Sequence, residues 1–262
     1  MENRRFWPGG LNPIAARGFQ SSADAYERGR PDYPAAAVDF LADVCGIRAG
    51  AVVLELGAGT GKFTRLLAPT GAALMAVEPV EAMRLKFGAL LPDVPILDGS
   101  AENIPAADAS VDAVLAAQAF HWFNAERALA ECRRVLKPGG MVGLIWNVRD
   151  ESVPWVAEIT RIIDVYEKSA PRYKSLEWKQ AFQGSEGFGP LSLRSFNHRH
   201  RSTLAAFMDR FASVSFIAAL PREERDAVIH KIGDLLARHP WTQGQAEIET
   251  VYRTDVYWCQ KR

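Results

Sequence analysis

The chain has 262 residues, 48% of them hydrophobic, and its 31 Lys and Arg side chains balance 31 Asp and Glu. That size suits one α/β sheet with an appended cap, and the charge balance excludes a global field that would gather a polyanion, so no nucleic-acid partner is expected. No stretch approaches the roughly 18 uninterrupted apolar residues of a membrane span, and Cys45, Cys132 and Cys259 lack metal-ligand or disulfide spacing, so a cytoplasmic protein without a metal site is expected.

Residues 1–18 contain Pro8, Gly9, Gly10, Pro13 and Gly18 with no sustained period, which predicts an irregular arm. Ser22 and Asp24 can then cap a short helix carrying Tyr26, and Pro31 and Pro34 stop and redirect the chain. A helix is expected from Ala36 to Val44, ended by Gly46. Val52 to Thr64, VVLELGAGTGKFT, reads as a buried strand, a tight glycine turn and a helix start. Glycine at positions 57, 59 and 61 lets the backbone take positive φ and removes Cβ atoms that would hold a ligand off the main chain. The first turn of the following helix offers free N–H groups. The spacing G-x-G-x-G departs from the dinucleotide loop G-x-G-x-x-G, and Glu55 would repel a pyrophosphate but attract an ammonium group. Taken alone, the loop can also be a turn required by strand–helix packing.

Ala72 to Val77 is a second strand ending at Glu78, 21 positions beyond Gly57, the separation that sets a carboxylate beside the first strand's end to accept from ribose hydroxyls. Pro79 opens a helix with Met83, Phe87, Leu90 and Leu91 at helical spacing, and Met83 has the thioether that suits a ring face. Val94 to Leu97 is a third strand. Val111 to Ala116 is a fourth, whose carboxyl end delivers Gln118, His121 and Trp122 into the crevice where open α/β sheets place ligands. Asn124 caps the next helix, which buries Leu129, Cys132 and Val135. Pro138, Gly139 and Gly140 turn the chain into a fifth strand, Val142 to Trp146. A helix with Val156, Ile159 and Ile163 follows. Tyr173, Trp178, Phe182 and Phe188 then lie among charges and glycines, suggesting a substrate-facing cap, with satellite packing as the alternative. Leu191 to Arg201 reads as a strand, two helices follow, and Ile248 to Cys259 closes the chain as a strand.

Five stretches in order resemble the class I S-adenosylmethionine-dependent methyltransferases. LELGAGTGKFT is similar to their motif I, MAVEPVEAM (75–83) to their second motif, and DGSAENIP (98–105) to their adenine-binding turn. VDAVLAAQAFHWF (111–123) and RVLKPGGMVGLIW (134–146) resemble the fourth strand and the passage into the fifth. ADAYERGRPDYP (23–34) and VYRTDVYWC (251–259) further resemble a small-molecule branch, the trans-aconitate methyltransferase-like proteins.

The resemblance implies a doubly wound, seven-stranded Rossmann-like sheet with its last strand antiparallel and a helical cap. It divides the chain into an arm (1–18), a cofactor-binding core with an N-terminal lid segment (19–170), strand six with the cap (171–240) and a closing strand (241–262). It implies S-adenosylmethionine as cofactor and S-adenosylhomocysteine as product. The implied cofactor contacts are Tyr26, Arg30, Glu55, Gly57, Ala58, Gly59, Thr60, Gly61, Glu78, Pro79, Met83, Ser100, Ala101, Glu102 and Gln118. Tyr26 and Arg30 would reach the methionine carboxylate. Many members of the family are acidic where Ser100 stands, so Glu102 or backbone groups would take the adenine amino group.

A small-molecule acceptor methylated at oxygen, as carboxylate or hydroxyl, is expected, by a monomer or homodimer. Two alternatives are a protein of the same fold that binds the cofactor without methylating and an NAD(P)-dependent oxidoreductase. A general base is needed only where the acceptor arrives protonated. His121 is the candidate for base or acceptor-orienting group, the alternative being a histidine that only shapes the pocket. Trp122 is expected as pocket wall, His198 and His200 are weaker candidates for the chemistry, and Arg30, Arg199 and Arg201 could read a negatively charged acceptor.

Overall fold

The computed structural model describes residues 13–167, 170–183 and 185–262. Its strands are β1 (Val52–Leu56), β2 (Ala73–Val77), β3 (Ile96–Leu97), β4 (Val111–Ala117), β5 (Leu136–Arg149), β6 (Ser192–Thr203) and β7 (Glu247–Gln260), joined in one sheet of order β3-β2-β1-β4-β5-β7-β6. The first five are parallel, and β7 runs antiparallel to both β5 and β6. This is the expected Rossmann-like α/β sheet. β4 is nearly all apolar because both of its faces are covered: Val114 and Ala116 join one core cluster, while Ala113, Leu115 and Ala117 join the other. The strand order reverses between β1 and β4, so their carboxyl ends frame the crevice in which such sheets bind ligands.

The helices are α1 (Pro13–Gly29), α2 (Ala35–Val44), α3 (Thr64–Leu67), α4 (Glu81–Leu90), α5 (Ala125–Val135), α6 (Pro154–Asp164), α7 (Gln180–Gln183), α8 (Leu204–Ala212), α9 (Ser215–Ala218) and α10 (Arg222–Arg238). Asn124 caps α5 as expected, its side chain accepting from Arg127 N at 3.2 Å. Cys132 is buried in the core.

Three expectations are corrected. Residues 13–18, expected to be irregular, are the first turns of α1. Pro13 sits at the helix start, where its missing N–H costs nothing, so it marks an entry and not a loop. The helix kinks at Ser22, whose Oγ donates to Gly18 O at 2.6 Å. The rest of the expected arm, 1–12, lies outside the described residues.

Strand β5 begins six residues early, at Leu136. Leu136 pairs with Val111 and Met141 with Ala113, so Pro138, Gly139 and Gly140 form a bulge within the strand.

The aromatics of 171–190 do not face a substrate cap. Trp178, Phe182 and Phe188 are buried in the main core, with Trp178 4.6 Å from Trp146 between ring centroids. The helical cap within 171–240 consists of α8, α9 and α10, which share with α6 one cluster centred on Trp155, Ile159, Phe207, Phe211, Ile217 and Ile232.

Candidate functional site

The glycine loop leaves β1 with φ of 64°, 58° and 83° at Gly57, Gly59 and Gly61. Two of these glycines are required by packing. A Cβ on Gly57 would stand 2.8 Å from Ala119 Cβ, and one on Gly61 would stand 2.6 Å from Leu91 Cδ1. Gly59 differs: its Cβ would meet only the Tyr26 ring, at 3.8 Å. Of the three, it alone presents bare backbone to open space, and that space is roofed by α1.

Glu78 follows β2, is 6% exposed, and accepts from Gly59 N and Val80 N, both at 2.9 Å. It therefore fixes the loop, and each of its oxygens keeps a lone pair for a hydroxyl donor. Burial raises its pKa, against the lowering effect of those two N–H groups. Glu55, at the end of β1, is 2% exposed and accepts from Thr64 Oγ1 at 2.5 Å. Burial pushes its carboxyl up to about 8, the Thr64 bond opposing and the Glu78 charge adding to the rise. Unpaired, this acid is poised to accept a cation. Ala58 and Thr60 are buried, and the Thr60 hydroxyl points into the roof, donating to Glu27 Oε2 at 2.5 Å.

Glu27 is a residue the sequence reading passed over. Besides Thr60 it holds Arg65, and Lys62 lies 3.8 Å away, so one α1 carboxylate ties the roof to the segment after the glycines. Arg30 stacks on Tyr26 with Cζ 4.7 Å from the ring centroid and donates from Nη2 to Ser213 O at 3.0 Å. Phe19 meets both Tyr26 and Trp122 edge-on at 6.0 Å. Trp122, half-buried, thereby joins the roof to the cap.

On the far side of β2, Met83 is 2% exposed, Ser100 and Pro79 are half-buried, and Ala101 is buried. Glu102, 8% exposed, spends Oε1 on Asn124 N at 2.7 Å. Its Oε2 is buried with no partner. An orphaned acceptor of this kind fits an amino donor such as the adenine N6 group.

At the carboxyl end of β4, Gln118 takes φ of 56°, rare for a residue with a side chain, and donates from Nε2 to Asn147 O at 3.2 Å. Two residues beyond the turn, His121 Nδ1 accepts the Trp146 indole N–H at 3.2 Å. An indole nitrogen only donates, so neutral His121 carries its proton on Nε2. Burial first, then the Arg172 and Arg30 charges, lowers its pKa to about 3. Tyr26 feels the charges of Arg30, Glu78 and Glu55, and His121 feels Arg30, so loop, roof and β4 end enclose one electrostatic neighbourhood.

His198 and His200 lie on edge strand β6, with His198 5.9 Å from the Tyr252 ring, and burial lowers the pKa of both. Arg199 and Arg201 are exposed and paired with Glu249 at 2.8 and 2.9 Å, which removes them from the crevice. Arg149 and Arg210, whose charges reach Arg30 and which both lie over the Phe211 ring, carried no sequence signal because only the cap's packing brings them together. No group of His, Cys, Asp or Glu fit to hold a metal occurs among the described residues.

The orphaned Glu102 oxygen, the bare Gly59 backbone and the buried acid at Glu55 together fit S-adenosylmethionine: amino donor, close approach, and cationic end. Comparison agrees. Residues 54–144 match the family described as a methyltransferase domain. An uncharacterized methyltransferase-like protein of Schizosaccharomyces pombe is 38% identical over 253 residues, 95% of this chain and 97% of that one. An uncharacterized methyltransferase of Mycobacterium tuberculosis is 40% identical over 222 residues, 85% of this chain and 86% of that one. Among solved structures, a candidate type II methyltransferase of Anaeromyxobacter dehalogenans shares the fold with a TM-score of 0.64 at 24% identity, over 89% of this chain and 97% of that one.

Proposed function

Because the chain belongs to the class I S-adenosylmethionine-dependent methyltransferases, we propose that it methylates an oxygen of a small molecule held between the glycine loop, the end of β4 and the cap. That membership sets aside the oxidoreductase alternative. When bound, the cofactor supplies a methyl group already activated by the positive charge on sulfur. An acceptor that arrives as a carboxylate would take that methyl group with no proton to remove, so the chain's residues need supply no base.

This chain's part is to bind, orient and exclude water. Glu78 and the Gly59 backbone would hold the ribose and the loop side, Met83, Ala101 and Glu102 the adenine, and Tyr26, Arg30 and Gln118 the methionine end. Ser100 contributes its backbone, its side chain lacking the carboxylate common at that position in the family. Glu55 stabilises positive charge. His121 donates from Nε2 and orients the acceptor, while Trp122 closes the pocket.

The observation that carries the reading is the open, Cβ-free face of Gly59 between Glu78 and Tyr26. Titration calorimetry with S-adenosylmethionine, S-adenosylhomocysteine and NADH tests it. Binding of the first two without the third is expected, and binding of NADH alone would refute it. Cofactor binding without turnover on any carboxylic acid or phenol would favour a protein of this fold that does not methylate. The buried free thiols Cys45, Cys132 and Cys259 suit a reducing compartment, and we place the protein in the cytoplasm as a monomer or homodimer. No helix among the described residues is long and apolar enough to cross a membrane.

A further inference from the structure

A cavity of about 600 Å³ opens at the sheet edge, between the start of β6, the end of β7 and the segment that carries α7. Phe182, Phe188, Leu191, Leu193 and Tyr257 give it an apolar lining, and none of its residues is among those placed round the glycine loop or at the end of β4. Leu193 pairs with Tyr257 across β6 and β7, so both side chains lie on one sheet face. Tyr257 is buried at the floor, while Leu193, 49% exposed, stands at the rim.

The floor is held in one orientation. Asp255 accepts from Ser195 Oγ at 2.6 Å, from Arg253 Nε and Nη2 at 2.8 and 2.9 Å, and from the Tyr173 hydroxyl at 2.5 Å. A hydroxyl that donates to a carboxylate accepts at its second contact, so the Tyr257 hydroxyl donates to Tyr173 at 2.9 Å. This chain pins the Tyr257 ring by its hydroxyl. Arg253, Asp255 and Tyr257 alternate within 251–259, a stretch whose resemblance was noted above and whose three residues here have no part in the crevice.

Over that ring stands a cation. Lys179 Nζ lies 4.4 Å from the Tyr257 centroid and 5.6 Å from that of Trp178, and no carboxylate pairs with it among the described residues. A ring face attracts an ammonium but offers no lone pair to its three N–H donors. Arg262 adds a second cation to the lining. Glu186, the one acid there among the described residues, is exposed and pairs with neither.

A concave, mostly apolar cavity of this size with a few polar groups suits a small molecule. Aromatic side chains favour a flat ring, and an ammonium with free donors favours an anion. We propose that the cavity is a second ligand site, for a small aromatic carboxylate whose ring packs against Phe182, Phe188 and Tyr257 and whose charge is taken by Lys179. The site shares no residue with the crevice, so it stands or falls apart from the function proposed above.

The test is titration calorimetry on the full chain with 2-naphthoate and its neutral counterpart 2-naphthamide. The proteins are wild type, Lys179→Gln, the charge-keeping Lys179→Arg, Leu193→Trp, which fills the mouth of the cavity, and Trp122→Ala, which alters the crevice instead. Wild type should bind 2-naphthoate at least about tenfold more tightly than 2-naphthamide. Lys179→Gln should lose that preference and Lys179→Arg should keep it. Leu193→Trp should weaken both ligands about tenfold or more, and Trp122→Ala should bind them as wild type does.

Three calorimetric results overturn the proposal: no binding of 2-naphthoate to wild type at millimolar concentration, equal affinity of wild type and Lys179→Gln for it, or its loss in Trp122→Ala alone, which would move the ligand to the crevice. Sedimentation gives a fourth, since a wild-type dimer that dissociates in Leu193→Glu would assign the cavity to a second copy of this chain. Should Leu193→Trp not fold, Lys179→Gln against Lys179→Arg decides the same question. No adenosyl ligand enters any arm, so failure of the methyltransferase reading would leave these outcomes unchanged.

Discussion

The indole N–H of Trp146 ends on Nδ1 of His121 at 3.2 Å, and this bond fixes the neutral imidazole as the tautomer protonated on Nε2. Trp146 is fully buried, so the bond is held by the core and does not depend on the ligand. His121→Gln retains a donor and should keep much of kcat, whereas His121→Ala should lower it about tenfold or more. Steady-state kinetics of the two variants check this. Equal loss in Gln and Ala variants would return His121 to base or wall.

The same histidine predicts acid sensitivity. Its folded pKa, about 3, lies below the ordinary 6.5, so between those values the unfolded chain binds more protons. Stability is present above pH 6.5 and is lost as pH falls through that window. His121→Gln should flatten the decline, measured as the urea midpoint between pH 7 and pH 4.

Glu55 has the opposite sign. Its pKa is raised from 4.5 to about 8, so the ligand-free protein holds this carboxyl largely protonated at neutrality, and its contribution to stability fades as pH rises from 4.5 towards 8. A cation bound beside it would drive the proton off. Calorimetry at pH 7 in buffers of different ionisation enthalpy should show up to one proton released per cofactor bound, and Glu55→Gln should release none.

Gly59→Val fills the space beside Tyr26 and should cut cofactor affinity by about a hundredfold, at a folding cost of about 1–2 kcal/mol for a left-handed residue with a side chain. Gly61→Ala should do the reverse, leaving affinity per folded molecule alone while destabilising the fold, because its methyl runs into Leu91 and Phe87. Denaturant titration and calorimetry on both variants separate the two roles.

Arg149→Met should make the ligand-free protein more stable, since an unpaired buried cation is exchanged for an apolar side chain of similar length. Each gain of about 1 kcal/mol would appear as a melting temperature about 2–4 °C higher. A fall in melting temperature would mean that stacking on Phe211 outweighs the unpaired charge.

The sheet was legible because each strand run is bounded by glycine, proline or an acid, and because the period changes visibly at Gly57 and Ala125. The loop side of the crevice was legible for the same reason: Gly59 and Glu78 follow strand ends, where order along the chain dictates position in space. The cap side was not. Arg149 and Arg210 are 61 positions apart and only a packed cap makes them neighbours, while the more conspicuous Arg199 and Arg201 alternate on an edge strand and face solvent. Trp178 and Phe182 misled in the other direction, since aromatics among charges and glycines look exposed until Trp146 supplies a surface to stack on. Pro13 misled because a proline breaks a helix only past its first turn.

Helix α1 touches three parties at once: Glu27 grips the segment after the glycines, Tyr26 covers Gly59, and the backbone at Gly18 and Gly29 lies flush against Ser215 and Arg210 of the cap. A side chain at either glycine would clash with main-chain atoms, at 2.3 and 2.2 Å, so this seam has no slack. On the function proposed above, a ligand held over Gly59 should leave by lifting of α1, and an engineered disulfide pinning that helix to the cap should slow dissociation of S-adenosylhomocysteine, followed by stopped flow.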